Sequence, residues 1–203
     1  MSRRTIGIVD YGVGNHASVW RALQALDYRC RISMDYELLS SCDLLVLPGV
    51  GAFPSAMAAL FERDLVDFLR DQARAGKPML GLCLGMQLLA DCSLEHGVTA
   101  GLGIIPGKVV PLVSEPWHIG WNTVEVVNDE KLLMPSDGQS VYFNHSYVFD
   151  APPEYQVCLS RLGAPITVGV RRANVMGLQF HPEKSQDTGR KMLKNVVDGL
   201  CDA

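Results

Sequence analysis

Through the first half of the chain, short apolar runs alternate with stretches whose apolar residues recur at helical spacing. Thr5–Asp10 (TIGIVD) is a short β-branched run and reads as a strand. In Asn15–Leu26, Val19, Trp20, Leu23 and Leu26 fall on one helical face. Tyr28–Ile32 fits a second strand. Asp43–Leu47 (DLLVL) fits a buried strand that ends in Pro-Gly. Ala56–Ala75 has a helical pattern, in one piece or two. Pro78–Leu82 is another apolar strand, and Gly85–Ala90 begins a helix. Alternation of this kind predicts a parallel sheet with helices on both faces.

The pattern changes after Leu102. Lys108–Val113, Thr123–Val127, Ser140–Phe149, Gln156–Arg161, Ile166–Val170 and Val175–Phe180 read as strands separated by Gly, Pro, Asn and Asp. They predict a mixed sheet that extends the first. Ser185–Leu200 closes the chain as an amphipathic helix with Met192, Leu193, Val196, Val197 and Leu200 on one face. The sequence shows no repeat, low-complexity tract or linker. The expected fold is α/β: a single domain over residues 1–203, with a mostly parallel central sheet and additional mixed or antiparallel strands.

Composition narrows the function without naming it. The 18 basic and 22 acidic residues leave a net charge of −4 and form no basic stripe, which gives nucleic acid no electrostatic footing. The start, MSRR, is basic, but Asp10 and the nearby glycines break the apolar run too early for a signal peptide. No apolar run is long enough to span a bilayer. The expectation is a soluble, cytoplasmic protein. Cysteines stand at 30, 42, 83, 92, 158 and 201 with no CxxC pair and no histidine cluster beside them, so neither a zinc site nor a disulfide framework is expected.

Cys83 is set apart by its neighbours. Gly81-Leu82-Cys83-Leu84-Gly85 follows a strand and precedes a helix, which is the G-x-nucleophile-x-G pattern with Cys in place of Ser. Two glycines would allow a sharp turn. The helix N-terminus would favour thiolate, and the Leu84 N–H would face a developing oxyanion. A buried cysteine at a Gly-rich strand end is the competing reading. Phe180-His181-Pro182-Glu183 follows the strand Val175–Phe180. In extended backbone Glu183 would point the same way as His181 and could fix its tautomer. Alone, the segment equally fits a surface histidine beside a turn-forming proline. Leu47–Phe53 (LPGVGAF) could bring backbone N–H groups to a reacting carbonyl, or be only a tight strand-to-helix loop.

One motif points elsewhere. Gly12-Val13-Gly14-Asn15-His16-Ala17 fits G-x-G-x-x-A after the first strand, and Asp35 lies where a ribose-binding acid would stand. Against a nucleotide site, Asp10-Tyr11 separates the strand from the first glycine, and Asn15 and His16 are bulky and polar. A Gly-rich loop capped by Asn15 accounts for the same residues.

Taken together, the segments resemble class I (triad) glutamine amidotransferases. GLCLGMQLL around Cys83 is similar to their nucleophile elbow, and FHPE to their His-Glu pair. DYGVGN (Asp10–Asn15), LPGVGAF, HIGWN (His118–Asn122), YFNHSYVF (Tyr142–Phe149) and HPEKSQ (His181–Gln186) resemble the branch that serves imidazole glycerol phosphate synthesis in histidine biosynthesis. The resemblance implies Cys83 as nucleophile, His181 as base and Glu183 as its orienting partner. It implies Val50 and Leu84 as oxyanion donors, and Gly51, Gln87, Ser146 and Tyr147 around the amino-acid end of glutamine. It also implies Asn15, Trp121, Tyr142 and Lys184 at an interface with a (β/α)8-barrel cyclase in a heterodimer, with no metal or organic cofactor. Trp117 departs from the family's frequent Pro before HIGWN, and Asn144 from a frequent apolar residue. Amidotransferases serving anthranilate, purine or pyridoxal phosphate synthesis share the elbow and HPE. A non-catalytic nucleotide-binding module built on Gly12–Ala17 would instead bind NAD and show no thiol chemistry.

Overall fold

The computed structural model describes residues 3–202; Met1 and Ser2 of the basic start lie outside them. The first half runs β1 (Thr5–Val9), α1 (His16–Gln24), β2 (Arg29–Ser33), α2 (Tyr36–Ser40), β3 (Leu44–Leu47), α3 (Phe53–Glu62), α4 (Leu65–Arg74), β4 (Met79–Leu82) and α5 (Leu84–Gln87). The second half runs β5 (Cys92–Ser93), β6 (Thr99–Ala100), β7 (Lys108–Pro111), β8 (His118–Val126), β9 (Ser140–His145), β10 (Tyr147–Asp150), β11 (Gln156–Leu162), β12 (Ala164–Arg172), β13 (Val175–Leu178) and α6 (Gln186–Cys201).

Nine strands form one sheet in the order β2-β1-β3-β4-β13-β12-β11-β8-β9. The five from β2 to β13 are parallel, and the remaining four add on antiparallel. Every residue of β3, β4 and β13 is buried, which is why these segments read as continuous apolar runs. On one face, Phe53, Leu60, Leu65 and Leu69 of α3 and α4 pack with Val9, Leu45, Leu47 and Met79. On the other, Val19 and Leu23 of α1 and Met192, Val196 and Val197 of α6 pack with Ile6, Ile8, Val46 and Leu80. Helices therefore cover both faces, as the alternation predicts. The 56–75 helical stretch divides where Asp64 turns left-handed, with φ 57°.

Three expectations are corrected. The 140–149 run is not one strand: it breaks at Ser146, and β10 leaves the main sheet to pair with β7 in a separate four-stranded sheet, β10-β7-β5-β6. The strand expected at Thr123 begins at His118, because HIGWN pairs residue by residue with β9. The helix after Cys83 has only four residues rather than running to Ala90. Among the described residues, no helix is long and apolar enough to cross a membrane.

Candidate active site

Three loops converge at the carboxyl ends of β3, β4 and β13, the position where open α/β sheets commonly carry chemistry. Cys83 follows β4 with φ 54° and ψ −112°, a conformation that costs a non-glycine residue roughly 1–3 kcal/mol. The Cys83 N–H donates to the Leu178 carbonyl at 2.8 Å and fastens the turn to β13. The glycines on either side do not supply the turn, since neither has a positive φ. They are required by crowding. A Cβ on Gly81 would lie 2.5 Å from the Gly85 carbonyl oxygen, and one on Gly85 would lie 1.8 Å from the Leu47 carbonyl oxygen. The left-handed strain falls on the cysteine itself.

The side chains of His181 and Glu183 are both buried, and His181 Nδ1 lies 2.7 Å from Glu183 Oε1. Extended backbone does not produce the contact. Pro182–Lys184 forms a 3-10 turn that folds the carboxylate back onto the ring. The carboxylate only accepts, so Nδ1 carries the proton and Nε2 is free for the sulfur. Burial works to lower the His181 pKa, but hydrogen bonds and charge from Cys83 and Glu183 outweigh it and raise it to about 9. Ser185 fixes the loop from behind. Its Oγ donates to the His181 carbonyl at 2.7 Å and accepts from the Tyr142 N–H at 2.9 Å, while the His181 N–H donates to the Tyr142 carbonyl at 2.9 Å.

Cys83 and His181 open onto one cavity of about 260 Å³, a volume suited to a small substrate. Val50, Gly51, Leu84, Gln87, Ser146 and Tyr147 all line it, so the residues implied for the oxyanion and for glutamine come together. Among the described residues, no acceptor takes the backbone N–H of Val50 or of Leu84. Gly49 brings that loop against the elbow: a Cβ there would lie 2.8 Å from Leu84 Cβ and 2.9 Å from the Gly85 nitrogen. The helix that follows Cys83 has a single turn, so its dipole behind the sulfur is short.

Two buried residues, one lining the cavity and one behind it, carry no local sequence signal. Glu95 is buried on its wall, and its Oε2 accepts from the Phe53 N–H at 2.7 Å, at the start of α3. Gln179 is fully buried, and its Nε2 lies 3.8 Å from Cys83 Sγ while its Oε1 accepts from Gln87 Nε2 at 2.9 Å. Asn144 meets Cys83 through its backbone, with its carbonyl oxygen 3.9 Å from Sγ, so a change of side chain there leaves that contact in place.

The residues implied at an interface gather just outside. Trp121 and Tyr142 are opposite each other across β8 and β9, with ring centroids 6.1 Å apart, and the Tyr142 backbone bonds to His181, at the head of the turn that ends at exposed Lys184. Helix α1 packs on that same turn, and Asn15 is its N-cap, accepting from the Ser18 N–H at 3.4 Å. Trp117 is exposed. The nucleotide motif is otherwise employed: Asp35 caps α2 through the Leu38 N–H at 2.8 Å, and Arg63 crowds Gly12. Among the described residues, no group of three or more His, Cys, Asp or Glu side chains is arranged to hold a metal ion.

The chain is similar to known proteins. The family described as glutamine amidotransferase class-I matches residues 7–199. Imidazole glycerol phosphate synthase subunit HisH of Streptococcus sanguinis (strain SK36) is 43% identical over 195 residues, covering 94% of each chain. The protein of the same name from Lacticaseibacillus casei (strain BL23) is 44% identical over 197 residues, covering 95% of each. Among solved structures, a glutamine amidotransferase from Thermotoga maritima shares the fold with a TM-score of 0.72 at 18% identity, over 100% of both chains.

Proposed function

The chain belongs to the class I glutamine amidotransferases, and on that premise we propose that it is the glutaminase subunit of an imidazole glycerol phosphate synthase. It hydrolyses glutamine to glutamate and ammonia in the cytoplasm and passes the ammonia to a (β/α)8-barrel cyclase in a heterodimer. The assignment of synthase rests on 43% and 44% identity, over 94% and 95% of the chain, to the HisH subunits of two bacteria. Trp121, Tyr142, Lys184 and the N-terminus of α1 at Asn15 form the docking face.

The observation that carries the chemistry is the shared cavity: a buried His181–Glu183 pair at 2.7 Å opening beside a cysteine held at φ 54°. With its thiol proton transferred to His181, Cys83 attacks the side-chain carboxamide carbon of glutamine. The resulting oxyanion takes the free N–H groups of Leu84 and Val50. His181, protonated at neutral pH, gives its proton to the amide nitrogen as the C–N bond breaks. Ammonia leaves, and a thioester joins Cys83 to the glutamyl group. His181 then takes a proton from water, hydroxide attacks the thioester, and glutamate departs as the sulfur is released. Gln87, Ser146, Tyr147 and Gly51 hold the amino-acid end. Glu95, the buried carboxylate on the cavity wall, receives its ammonium group.

Cys83→Ala tests the assignment. It should remove glutamate release and leave the synthase reaction intact when free ammonium is supplied, because only the source of nitrogen is lost. Glutamine hydrolysis near the wild-type rate in that variant would exclude Cys83 as nucleophile.

A further inference from the structure

The triad leaves one polar assembly near the cavity without a role. His118 on β8 and His145 on β9 are directly paired across the two strands, and both are buried. His118 Nδ1 lies 3.0 Å from His145 Nε2, and His145 Nδ1 lies 2.9 Å from the Tyr147 carbonyl. At the other end, Asn122 Nδ2 lies 3.1 Å from His118 Nε2.

The direction of every bond follows from its ends. The Tyr147 carbonyl can only accept, so His145 carries its proton on Nδ1 and accepts at Nε2. His118 must then donate from Nδ1 and accept at Nε2. Asn122 supplies that donor, because its Oδ1 is taken by the Thr123 N–H at 2.8 Å and its Nδ2 also donates to the Arg161 carbonyl at 2.8 Å. Two neutral imidazoles in series therefore transmit one orientation from β8 to Tyr147. The His118 ring is held flat on Phe143, with centroids 4.1 Å apart.

The chain continues past Tyr147 into the glutamine cavity. The same Tyr147 carbonyl accepts from Gln87 Nε2 at 3.0 Å, and the second hydrogen of that amide goes to Gln179 Oε1. Both hydrogens of Gln87 are thereby committed inward, which leaves its Oε1 as the uncommitted atom of a side chain lining the cavity. On the outer face of β8, Ile119 and Trp121 alternate with His118 and Asn122 and stand exposed.

We propose that His118 and His145 are positioning residues for glutamine: they hold the Tyr147 carbonyl, and through it the Gln87 amide, in the orientation that binds substrate, and they tie that orientation to the strand whose outer face carries Trp121. The proposal rests on the glutaminase reading. Neither imidazole takes part in bond making, so the effect belongs in glutamine affinity rather than in turnover.

The test compares His145→Phe, His118→Phe and His145→Asn in complex with the cyclase, with the ammonium-driven synthase rate as a control for folding and docking. His145→Phe removes both hydrogen bonds and keeps the ring's bulk. It should raise the KM for glutamine tenfold or more with kcat within threefold of wild type. His118→Phe keeps the stack on Phe143 and should raise KM at least threefold, which retains a readout if His145→Phe does not fold. His145→Asn keeps an N–H facing Tyr147 and should return KM to within threefold of wild type. Unchanged KM in a folded Phe variant, a loss confined to kcat, or failure of His145→Asn to restore KM would overturn the proposal. Absence of glutamate release by the wild-type complex would overturn the glutaminase reading itself.

Discussion

The hydroxyl of Tyr11 donates to the carbonyl oxygen of Pro48 at 2.6 Å, inside the core and at the stem of the loop that carries Val50. Burial, with the charge of Cys83 second, pushes the phenol above its ordinary value, so it remains a donor throughout the working pH range. The bond fixes one end of the loop that carries Val50, and the same hydroxyl lies 2.8 Å from where a Cβ on Gly49 would stand. Tyr11→Phe keeps the ring and leaves the buried Pro48 carbonyl without its donor. It should lower stability by about 1–3 kcal/mol. Glutamate release should fall roughly tenfold if loosening the loop costs about 1.4 kcal/mol of transition-state stabilisation. Urea denaturation reads the first effect and steady-state glutaminase the second.

The pH profile follows from the His181–Glu183 contact. With a pKa raised to about 9, His181 is protonated below that value and loses the proton needed by departing ammonia above it. The kcat/KM for glutamine should therefore fall on the alkaline side near pH 9. Glu183 is one of the groups that raise the value, so Glu183→Gln should move the alkaline limb to lower pH by about one unit or more. It should keep more activity than His181→Ala, because orientation of a base can be partly replaced and the base cannot. An unmoved limb in Glu183→Gln would show that the limb does not report His181.

Much of this site is legible in the sequence because its parts are local. The elbow places Cys83 and the free Leu84 N–H, the proposed nucleophile and oxyanion donor, in adjacent residues. His181 and Glu183 are two apart, and only the backbone between them departs from expectation: a 3-10 turn replaces extended chain. The parallel half of the sheet is also legible, since burial on both faces of β3 and β4 leaves continuous apolar runs. Glu95 is not, because its partner Phe53 is 42 residues away and its own segment has no periodicity. The two-residue strands β5 and β6 are too short to show any. The pairing of His118 with His145 depends on the register of β8 against β9, which the intervening residues 127–139 do not specify.

Acid should weaken the fold through His145. Burial first, then the charges of His118 and His181, lower its pKa from 6.5 to about 4, against the Tyr147 carbonyl, which raises it. The unfolded chain binds this proton below about 6.5 and the folded chain does not until about 4. The stabilisation is present above 6.5 and is lost as pH falls through 4, amounting to roughly 3 kcal/mol. His181 works in the opposite window: its contribution is present below 6.5 and lost as pH rises through about 9. Urea denaturation at about pH 7, 5.5 and 4.5 should show a steeper acid loss in the wild type than in His145→Asn. Parallel curves would remove His145 from the account.

The isolated chain should be a poor glutaminase that its cyclase partner activates. Ammonia made without an acceptor is lost, and the site contains a place where rate can be held back. The loop is anchored at Pro48 and packed tightly at Gly49, but Val50 is exposed, and Gly51 has φ 96° with open space around it. The Val50 peptide can therefore rotate about a rigid stem and a free hinge. One oxyanion donor is worth on the order of 3 kcal/mol, which corresponds to roughly a hundredfold in rate. Partner binding at the docking face proposed around Trp121, Tyr142 and Lys184 shifts the loop toward the competent orientation only if the partner binds that orientation more tightly. Gly51→Ala should impair activation, because an alanine at φ 96° is strained and restricts the hinge. Glutamate release measured with and without the cyclase and its ligand should differ by about a hundredfold in the wild type and by far less in Gly51→Ala. Equal wild-type rates in every condition would refute gating by this loop while leaving the triad in place.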